Sequence, residues 1–328
     1  MRAVVITRGG GPEVLELDER PTPEPGPGEI LVRVHASALN RADLLQRQGH
    51  YPAPPGAPAD IPGMEYAGEV AVLGPGVQEW REGDRVFGIV GGGSYAEYLV
   101  TDAKAAARVP SRLSWVDAGA VPEAFITAHD ALVTQAGMTA GESILIHAVG
   151  SGVGLASTQV ARAWGATPYG TARSPDKIAR AKSFGLEDGI RVGEDVDVIP
   201  RAVERWTSGR GIAITMDLVG GPYLGASIRA ASPRGRIMLV GAIAGRVGTI
   251  PIGMILGKRL TLRGTVLRAR SIDEKRAVTA AFVRDVVPLL GAGDLRPTVD
   301  SVFDLDDVRQ AHERMESNVT FGKVVLKC

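Results

Sequence analysis

The sequence predicts an α/β protein in which a β-rich N-terminal region is followed by a doubly wound parallel sheet. First, an apolar run over 144–149 leads into a glycine-rich turn and then into a helical pattern. Second, strand and helix patterns alternate from residue 143 to residue 265. Third, the region before residue 120 consists of short strand-like runs between glycine- and proline-rich turns, and at 328 residues the chain has room for about two domains.

The N-terminal region is predicted to be built from short strands because apolar and polar residues alternate between turn signals. One short helix interrupts them over 39–47, where Asn40 can serve as N-cap and Asp43 lies in the first turn. The predicted strands are 3–7, 15–18, 30–36, 64–73, 84–89 and 95–100.

From residue 121 onwards the pattern changes to helices and buried strands that follow one another. A helix is predicted over 121–135, a long helix over 272–290, a shorter one over 305–315 and a closing strand over 322–326. The alternating region contains strands at 143–148, 167–171, 189–192, 212–218, 236–240 and 260–265, with helices at 152–164, 175–184, 196–207, 222–230 and 251–256. Six strands with intervening helices make a doubly wound parallel sheet of the Rossmann type.

The turn after the first of these strands carries the main functional signal. Its residues are Gly150, Ser151, Gly152, Val153 and Gly154. Glycines let a pyrophosphate approach the backbone N–H groups at a helix N-terminus, which predicts a dinucleotide site. The spacing departs from G-x-G-x-x-G because residue 155 is leucine, and an ordinary glycine-rich turn is the alternative.

The end of the second strand of this sheet favours NADPH over NADH. Enzymes that select NAD usually carry an acid there, whereas this chain has Arg173 followed by Ser174 and Lys177, and Arg191 ends the next strand. Cationic and hydroxyl side chains suit a 2′-phosphate. The alternative is that Ser174 is an N-cap and Lys177 a solvated helix residue.

Composition excludes several classes of function. Lys plus Arg and Asp plus Glu both number 37, so no excess charge points to nucleic acid or to an anionic membrane. The one cysteine, Cys328, excludes an intrachain disulfide and a cysteine-rich zinc site. With 45% hydrophobic residues and no apolar window of membrane-spanning length, we expect a soluble cytoplasmic protein.

Several ordered stretches of the chain resemble the medium-chain dehydrogenase/reductase family, in particular its zinc-free quinone oxidoreductase branch. They lie at 37–44 with 46–49, 91–93, 121–124, 145–148 with 151–154, and 322–326. The resemblance implies a Rossmann domain over 121–265 inserted in a β-rich GroES-like domain made of 1–120 plus 266–328, with the acceptor held between the domains. It also implies a homodimer formed through the edge of the Rossmann domain.

The resemblance also assigns site residues. Asn40 and Tyr51 are expected beside the nicotinamide and the acceptor, with Asn40 donating a hydrogen bond and Tyr51 acting as a proton donor or as a wall of the site. Asp43 is a weaker candidate, for which capping is the simpler role. Thr127, Val240, Gly241, Leu267 and Lys323 are expected near the cofactor, and Gly241 is expected to let the backbone approach the nicotinamide ring.

No metal is expected in this chain. Zinc-dependent members of the family place a cysteine at the position of Asn40 and a histidine at that of Met64, and neither substitute can replace those ligands. The sequence therefore predicts NADPH-dependent, metal-free reduction of a quinone. An alkenal or enoyl-thioester reductase is one alternative, and a non-catalytic NADPH-binding protein is another.

Overall fold

The computed structural model describes residues 1–328, which divide into two compact units. Unit 1 comprises 1–126 and 267–328, and unit 2 comprises 127–266. The first division falls at 126/127, where the sequence predicted 120/121, because the start of the helix Pro122–His129 bonds to unit 1: the N–H of Glu123 donates to Glu65 at 2.9 Å.

The N-terminal part of unit 1 is built from strands, as the alternation predicts. Its elements are β1 (Arg2–Ile6), β2 (Leu15–Glu19), β3 (Glu29–Ala38), α1 (Arg41–Arg47), β4 (Glu65–Leu73), β5 (Arg85–Ile89), β6 (Tyr98–Asp102), β7 (Ala106–Arg108), α2 (Trp115–Gly119) and α3 (Pro122–His129). The sixth strand begins at Tyr98, later than the predicted 95–100, because residues 95–97 make only isolated backbone hydrogen bonds. Tyr95 and Glu97 bond to β1, and Glu97 also bonds to β3. A π-helical turn, Asp130–Gln135, continues α3.

Unit 2 is a six-stranded parallel sheet with helices between its strands. Its elements are β8 (Ser143–Ile146), α4 (Gly152–Ala163), β9 (Thr167–Ala172), α5 (Pro175–Ala181), β10 (Asp188–Arg191), α6 (Val198–Thr207), β11 (Ile212–Asp217), α7 (Pro222–Ala230), β12 (Ala231–Leu239), α8 (Ile252–Lys258) and β13 (Thr261–Gly264). The spatial order is β10-β9-β8-β11-β12-β13, which is the 3-2-1-4-5-6 order of a Rossmann sheet. Leu145, Ile199 and Val203 are among the residues of its buried core.

The C-terminal part of the chain completes unit 1 with α9 (Ile272–Asp285), α10 (Val287–Ala292), β14 (Val299–Asp304), α11 (Val308–Glu316) and β15 (Lys323–Lys327). The prediction of one helix over 272–290 was wrong. The helix breaks at Val286, where φ is −109°, because Pro288 has no N–H to continue the ladder.

The main sheet of unit 1 joins both ends of the chain. Its order is β14-β15-β3-β4-β5-β7, with β6 also paired to β3, and β1 and β2 form a separate antiparallel pair. The ladder between β15 and β3 places Lys323, the first residue of β15, next to the start of α1. No helix has the length and apolar character needed to cross a membrane.

Candidate functional site

The turn between β8 and α4 requires glycine at one position for a steric reason. A Cβ on Gly154 would lie 2.5 Å from the carbonyl oxygen of Ala148, so only glycine lets α4 begin this close to the turn. Ser151 caps the helix, since its hydroxyl accepts the Gly154 N–H at 3.1 Å. The turn and the first N–H groups of α4 therefore form a compact cradle for an anion.

The position of this turn in the sheet is that of a nucleotide site. β8 lies between β9 on one side and β11 on the other, so the chain order reverses at its carboxyl end. In open parallel sheets, ligands bind beyond the strand ends at such a reversal point.

Three basic side chains lie at the same edge of the sheet. Arg173 follows β9 and Arg191 ends β10; both are exposed, and the Arg191 Nε donates to the Arg173 carbonyl at 3.3 Å. Lys177 lies against the turn, because a Cβ on Gly150 would be 3.0 Å from its Cδ. Ser174 is the N-cap residue of α5, yet its hydroxyl makes no cap hydrogen bond.

Arg173, Ser174, Lys177 and Arg191 thus lie at or after the carboxyl ends of β9 and β10, and their joint role toward a phosphate stays a prediction. Such a group of donors matches a phosphate monoester. Tyr223, which the sequence did not single out, is partly buried; burial raises the pKa of its phenol, and the nearby Arg173 lowers it.

Gly241 is explained by packing between strand ends. The N–H groups of Val240 and Gly241 donate to the Asp217 carbonyl at 2.9 and 3.2 Å, and a Cβ on Gly241 would lie 2.5 Å from the Leu218 carbonyl oxygen. The glycine is thus already required without a ligand, and its expected role toward the nicotinamide remains a prediction. Thr127 is buried, and its hydroxyl has no hydrogen-bond partner in the protein.

In unit 1, Lys323 and Asn40 belong to one buried polar cluster. The Lys323 ammonium donates to the Leu39 carbonyl at 2.9 Å and to Asn40 Oδ1 at 2.7 Å, and it forms an ion pair with Glu65 Oε1 at 2.6 Å. Glu65 is fully buried, and its other oxygen accepts the N–H of Glu123 at 2.9 Å. The ammonium therefore makes two hydrogen bonds and neutralises a carboxylate inside the unit.

The Asn40 amide bridges this cation and this carboxylate. Its Nδ2 donates to Glu65 Oε1 at 2.9 Å and to the Ala38 carbonyl at 3.2 Å, while its Oδ1 accepts from Lys323. Both amide hydrogens are thus already used in this arrangement. The expected donation from Asn40 to an acceptor requires one of these two bonds to be exchanged.

Asp43 has the capping role that the sequence favoured. Its Oδ2 accepts the Asn40 N–H at 2.7 Å and the Tyr95 hydroxyl at 3.1 Å, and its Oδ1 accepts the Gly63 N–H at 3.2 Å. Burial raises the pKa of Asp43 to about 6, and the hydrogen bond from Asn40 opposes this rise. Asp43 fixes the start of α1 and the loop that ends at Gly63.

Tyr51 lies in the loop after α1, where its phenol is partly buried. Its N–H donates to the Leu45 carbonyl at 3.2 Å, and its own carbonyl accepts from Arg268 Nη1 at 3.3 Å. Burial raises the pKa of the Tyr51 phenol, while Arg268 lowers it and Glu123 raises it. Leu267 is buried and directly precedes Arg268, whose side chain bonds to the Tyr51 carbonyl.

Comparisons with known proteins agree with this architecture. The alcohol dehydrogenase GroES-like domain family matches residues 26–111, and the zinc-binding dehydrogenase family matches residues 152–283. A quinone oxidoreductase of Pseudomonas aeruginosa is 33% identical over 97% of this chain and 96% of its own length. The chain belongs to the quinone oxidoreductase branch of the medium-chain dehydrogenase/reductase family.

Two solved structures extend this family relationship to the fold. The structure of Escherichia coli quinone oxidoreductase complexed with NADPH superposes with a TM-score of 0.89 at 28% identity, with all of both chains covered. A structure described as an NAD-dependent alcohol dehydrogenase has a TM-score of 0.88 at 34% identity, also over all of both chains. The predicted fold class, a Rossmann sheet inserted in a GroES-like domain, is confirmed.

Two positions of this chain bear on the zinc that one matching family's description mentions. The resemblance implies a cysteine and a histidine there in zinc-dependent members, whereas this chain has Asn40 and Met64, and a metal-free site stays a prediction. The Asn40 oxygen is bonded to the Lys323 ammonium, so a cation already occupies that donor. No three His, Cys, Asp or Glu side chains are arranged to hold a metal ion.

Sequence reasoning missed Glu65 and Glu123, which belong to the polar cluster, and Arg268, which bonds to the Tyr51 carbonyl. The available signal for Glu65 was a carboxylate at the start of an otherwise apolar strand, where a buried charge needs a partner. Glu123 is partly buried in the first turn of α3; burial raises its pKa to about 7, and the nearby Glu65 adds to the rise. For Arg268 no local pattern was available, because its partners are far away in the chain.

Proposed function

We propose that the protein is an NADPH-dependent quinone oxidoreductase that transfers a hydride to a quinone without a metal ion. The observation that carries this proposal is the anion cradle of the β8–α4 turn together with Arg173, Lys177 and Arg191 at the same sheet edge. Family membership supports the acceptor class, and the NADPH bound in the Escherichia coli relative supports the cofactor.

The cofactor would be held by residues whose chemistry matches its two phosphate groups. The turn residues Gly150, Ser151, Gly152, Val153 and Gly154 would bind the pyrophosphate through backbone N–H groups. The side chains of Arg173, Ser174, Lys177 and Arg191 would bind the 2′-phosphate. When bound, NADPH supplies the hydride.

On the acceptor side, a quinone suits a site that offers hydrogen bonds and no Lewis acid. Reduction gives an aromatic quinolate, so the protein needs only to position the acceptor and to stabilise a developing oxyanion. The Tyr51 hydroxyl can donate to that oxygen. Because burial raises its pKa, we assign Tyr51 to positioning and screening, and we assign proton supply to solvent water.

We further propose a homodimer formed through the edge of the unit 2 sheet. β13 is paired only with β12, so one side of its backbone is unpaired. The segment that precedes β13 in the chain exposes large apolar side chains, with Val247 89%, Ile252 63% and Leu256 72% accessible. A second copy of the same edge would cover both features.

The test is NADPH oxidation by purified, chelator-treated protein with an ortho-quinone, an alkenal, an enoyl-CoA and a simple aldehyde in parallel. Preferred turnover of the quinone supports the proposal, and turnover unchanged by added zinc supports the metal-free chemistry. Preferred turnover of the alkenal or thioester would replace quinone reduction with alkene reduction. NADPH binding without any turnover would identify a binding protein.

A further inference from the structure

Arg268 is a buried arginine whose hydrogen bonds join three separate segments of unit 1. Its side chain is only 4% exposed. Its Nε donates to the Gly91 carbonyl at 2.7 Å, its Nη2 to Gln46 Oε1 at 2.5 Å and its Nη1 to the Tyr51 carbonyl at 3.3 Å. All three acceptors are neutral, so the guanidinium is buried without a carboxylate bonded to it.

This arrangement fixes the segment that carries Tyr51. Gln46, on α1, accepts from Arg268 and donates to the Ala59 carbonyl at 3.2 Å, on the far side of the same loop. The Tyr51 backbone is held at both ends, by Leu45 and by Arg268. Without the planar guanidinium fork, the Tyr51 carbonyl would lose its link to Gln46 and to the Gly91 carbonyl, and the loop would keep only its direct bonds to α1.

The guanidinium also faces the Tyr51 ring. Its central carbon lies 5.2 Å from the ring centroid, within the range of a cation–π interaction. The other charged groups that interact electrostatically with this pair are Glu123, which acts on both residues, and Asp43 and Lys275, which interact with Arg268. Arg268 is the cation among them that lies over the phenol.

We propose that Arg268 is a positioning residue for quinone reduction, which holds Tyr51 in place and keeps a positive charge over its ring so that the phenol can stabilise the acceptor oxyanion. This inference rests on the proposed function of Tyr51. It explains why a charge is buried here against neutral acceptors, an arrangement that costs stability.

The experiment compares Arg268→Met and Arg268→Lys with the wild type in two independent measurements. In the first, a fluorinated tyrosine at position 51, whose phenol titrates nearer to neutral pH, is followed by ¹⁹F NMR. We expect its pKa to rise by about 1 in Arg268→Met and to return toward the wild-type value in Arg268→Lys, which keeps the charge. In the second, we expect kcat for the quinone to fall at least ~10-fold in Arg268→Met, with partial rescue by lysine.

Controls separate this role from a general loss of structure and from the proposed function. Arg33→Met removes an exposed arginine of the same unit and should leave both readouts unchanged, and NADPH affinity should stay within about 2-fold in every variant. Gln46→Met removes one hydrogen-bond acceptor of Arg268 without removing the charge, so kcat should fall while the pKa at position 51 stays constant. This variant replaces Arg268→Met in the test if Arg268→Met does not fold.

An unchanged pKa and kcat in Arg268→Met would overturn the inference. A wild type inactive toward quinones would overturn the proposed function, and the NMR titration would still decide whether Arg268 acts on Tyr51.

Discussion

At the residue scale, the ion pair between Lys323 and Glu65 is expected to contribute to the stability of unit 1, because both side chains are almost completely buried. We predict that Lys323→Met lowers the free energy of unfolding by about 3–5 kcal/mol, since it leaves the Glu65 carboxylate buried without its cation. Denaturant unfolding measures the loss. Lys327→Met is the matched control, since this exposed lysine of the same strand pairs with Asp304 at 3.0 Å and should contribute under about 1 kcal/mol. A loss no larger than that of the control would show that the buried pair does not stabilise the unit.

Arg173 is the residue proposed to distinguish NADPH from NADH, which differ in one phosphate. Arg173→Glu is predicted to weaken NADPH at least ~10-fold more than NADH, because it replaces a bidentate phosphate donor with a repulsive carboxylate. Calorimetric titration of both nucleotides measures the ratio. Arg180→Glu makes the same charge change at an exposed position of α5 and should affect both cofactors alike. Equal losses for both cofactors in Arg173→Glu would remove the phosphate assignment.

Glu123 is predicted to make unit 1 less stable as pH rises. Burial raises its folded-state pKa from 4.5 to about 7, so the folded state binds more protons than the unfolded state between these values. Stability from this group is therefore complete below about pH 4.5 and is lost as pH rises through about 7. Glu123→Gln should flatten the unfolding free energy between pH 5 and pH 8 and add about 1 kcal/mol at the upper end, a value reduced by partial exposure. A pH profile identical to that of the wild type would contradict this.

Site residues could be predicted where the signal was local. The turn 150–154 and the basic residues at the ends of β9 and β10 could be proposed from the sequence because they stand next to a strand end, and their binding roles stay predictions. The polar cluster could not be assembled in the same way, because Asn40, Glu65 and Lys323 meet only through pairing of β15 with β3 and of β3 with β4. The resemblance supplied Asn40 and Lys323, but it did not show that they bond to each other.

Among the elements, strongly periodic segments were predicted and context-dependent ones were not. All six strands of unit 2 were predicted because strand and helix patterns alternate regularly there, although β10 and β13 are only partly buried or exposed and β12 begins at Ala231, before the predicted 236. β7 has three residues and β14 is partly exposed, so neither has a pattern that separates it from a loop. The break at Val286 was missed because the apolar spacing continues past it, although Pro288 gave the signal for a helix end.

The contact between α4 and the preceding turn leads to a prediction for that element. Gly154→Ala should cost about 2–3 kcal/mol of stability and weaken NADPH, because its Cβ would lie 2.5 Å from the Ala148 carbonyl oxygen and would push α4 away from the turn. Gly253→Ala is the control, since its Cβ would meet no atom within 4 Å and alanine favours the helix. Thermal unfolding and NADPH titration measure both effects. Similar stability of the two variants would show that α4 can shift without cost.

For the whole molecule, several exposed apolar side chains of unit 2 are not explained within a single chain. They include Val247 and, on α8, Ile252 and Leu256, and helical or loop patterning alone did not show that these residues would be exposed. We predict that Leu256→Glu converts a dimer into a monomer, because each copy would bury a carboxylate against the other. Light scattering after size-exclusion chromatography measures the mass, and Leu17→Glu, at a 41% exposed position of unit 1, should remain dimeric.

A monomeric wild type at micromolar concentration would contradict the proposed dimer. A Leu256→Glu variant that stays dimeric would place the interface elsewhere. Retained NADPH affinity in the monomer would show that unit 2 folds and binds its cofactor without a second copy.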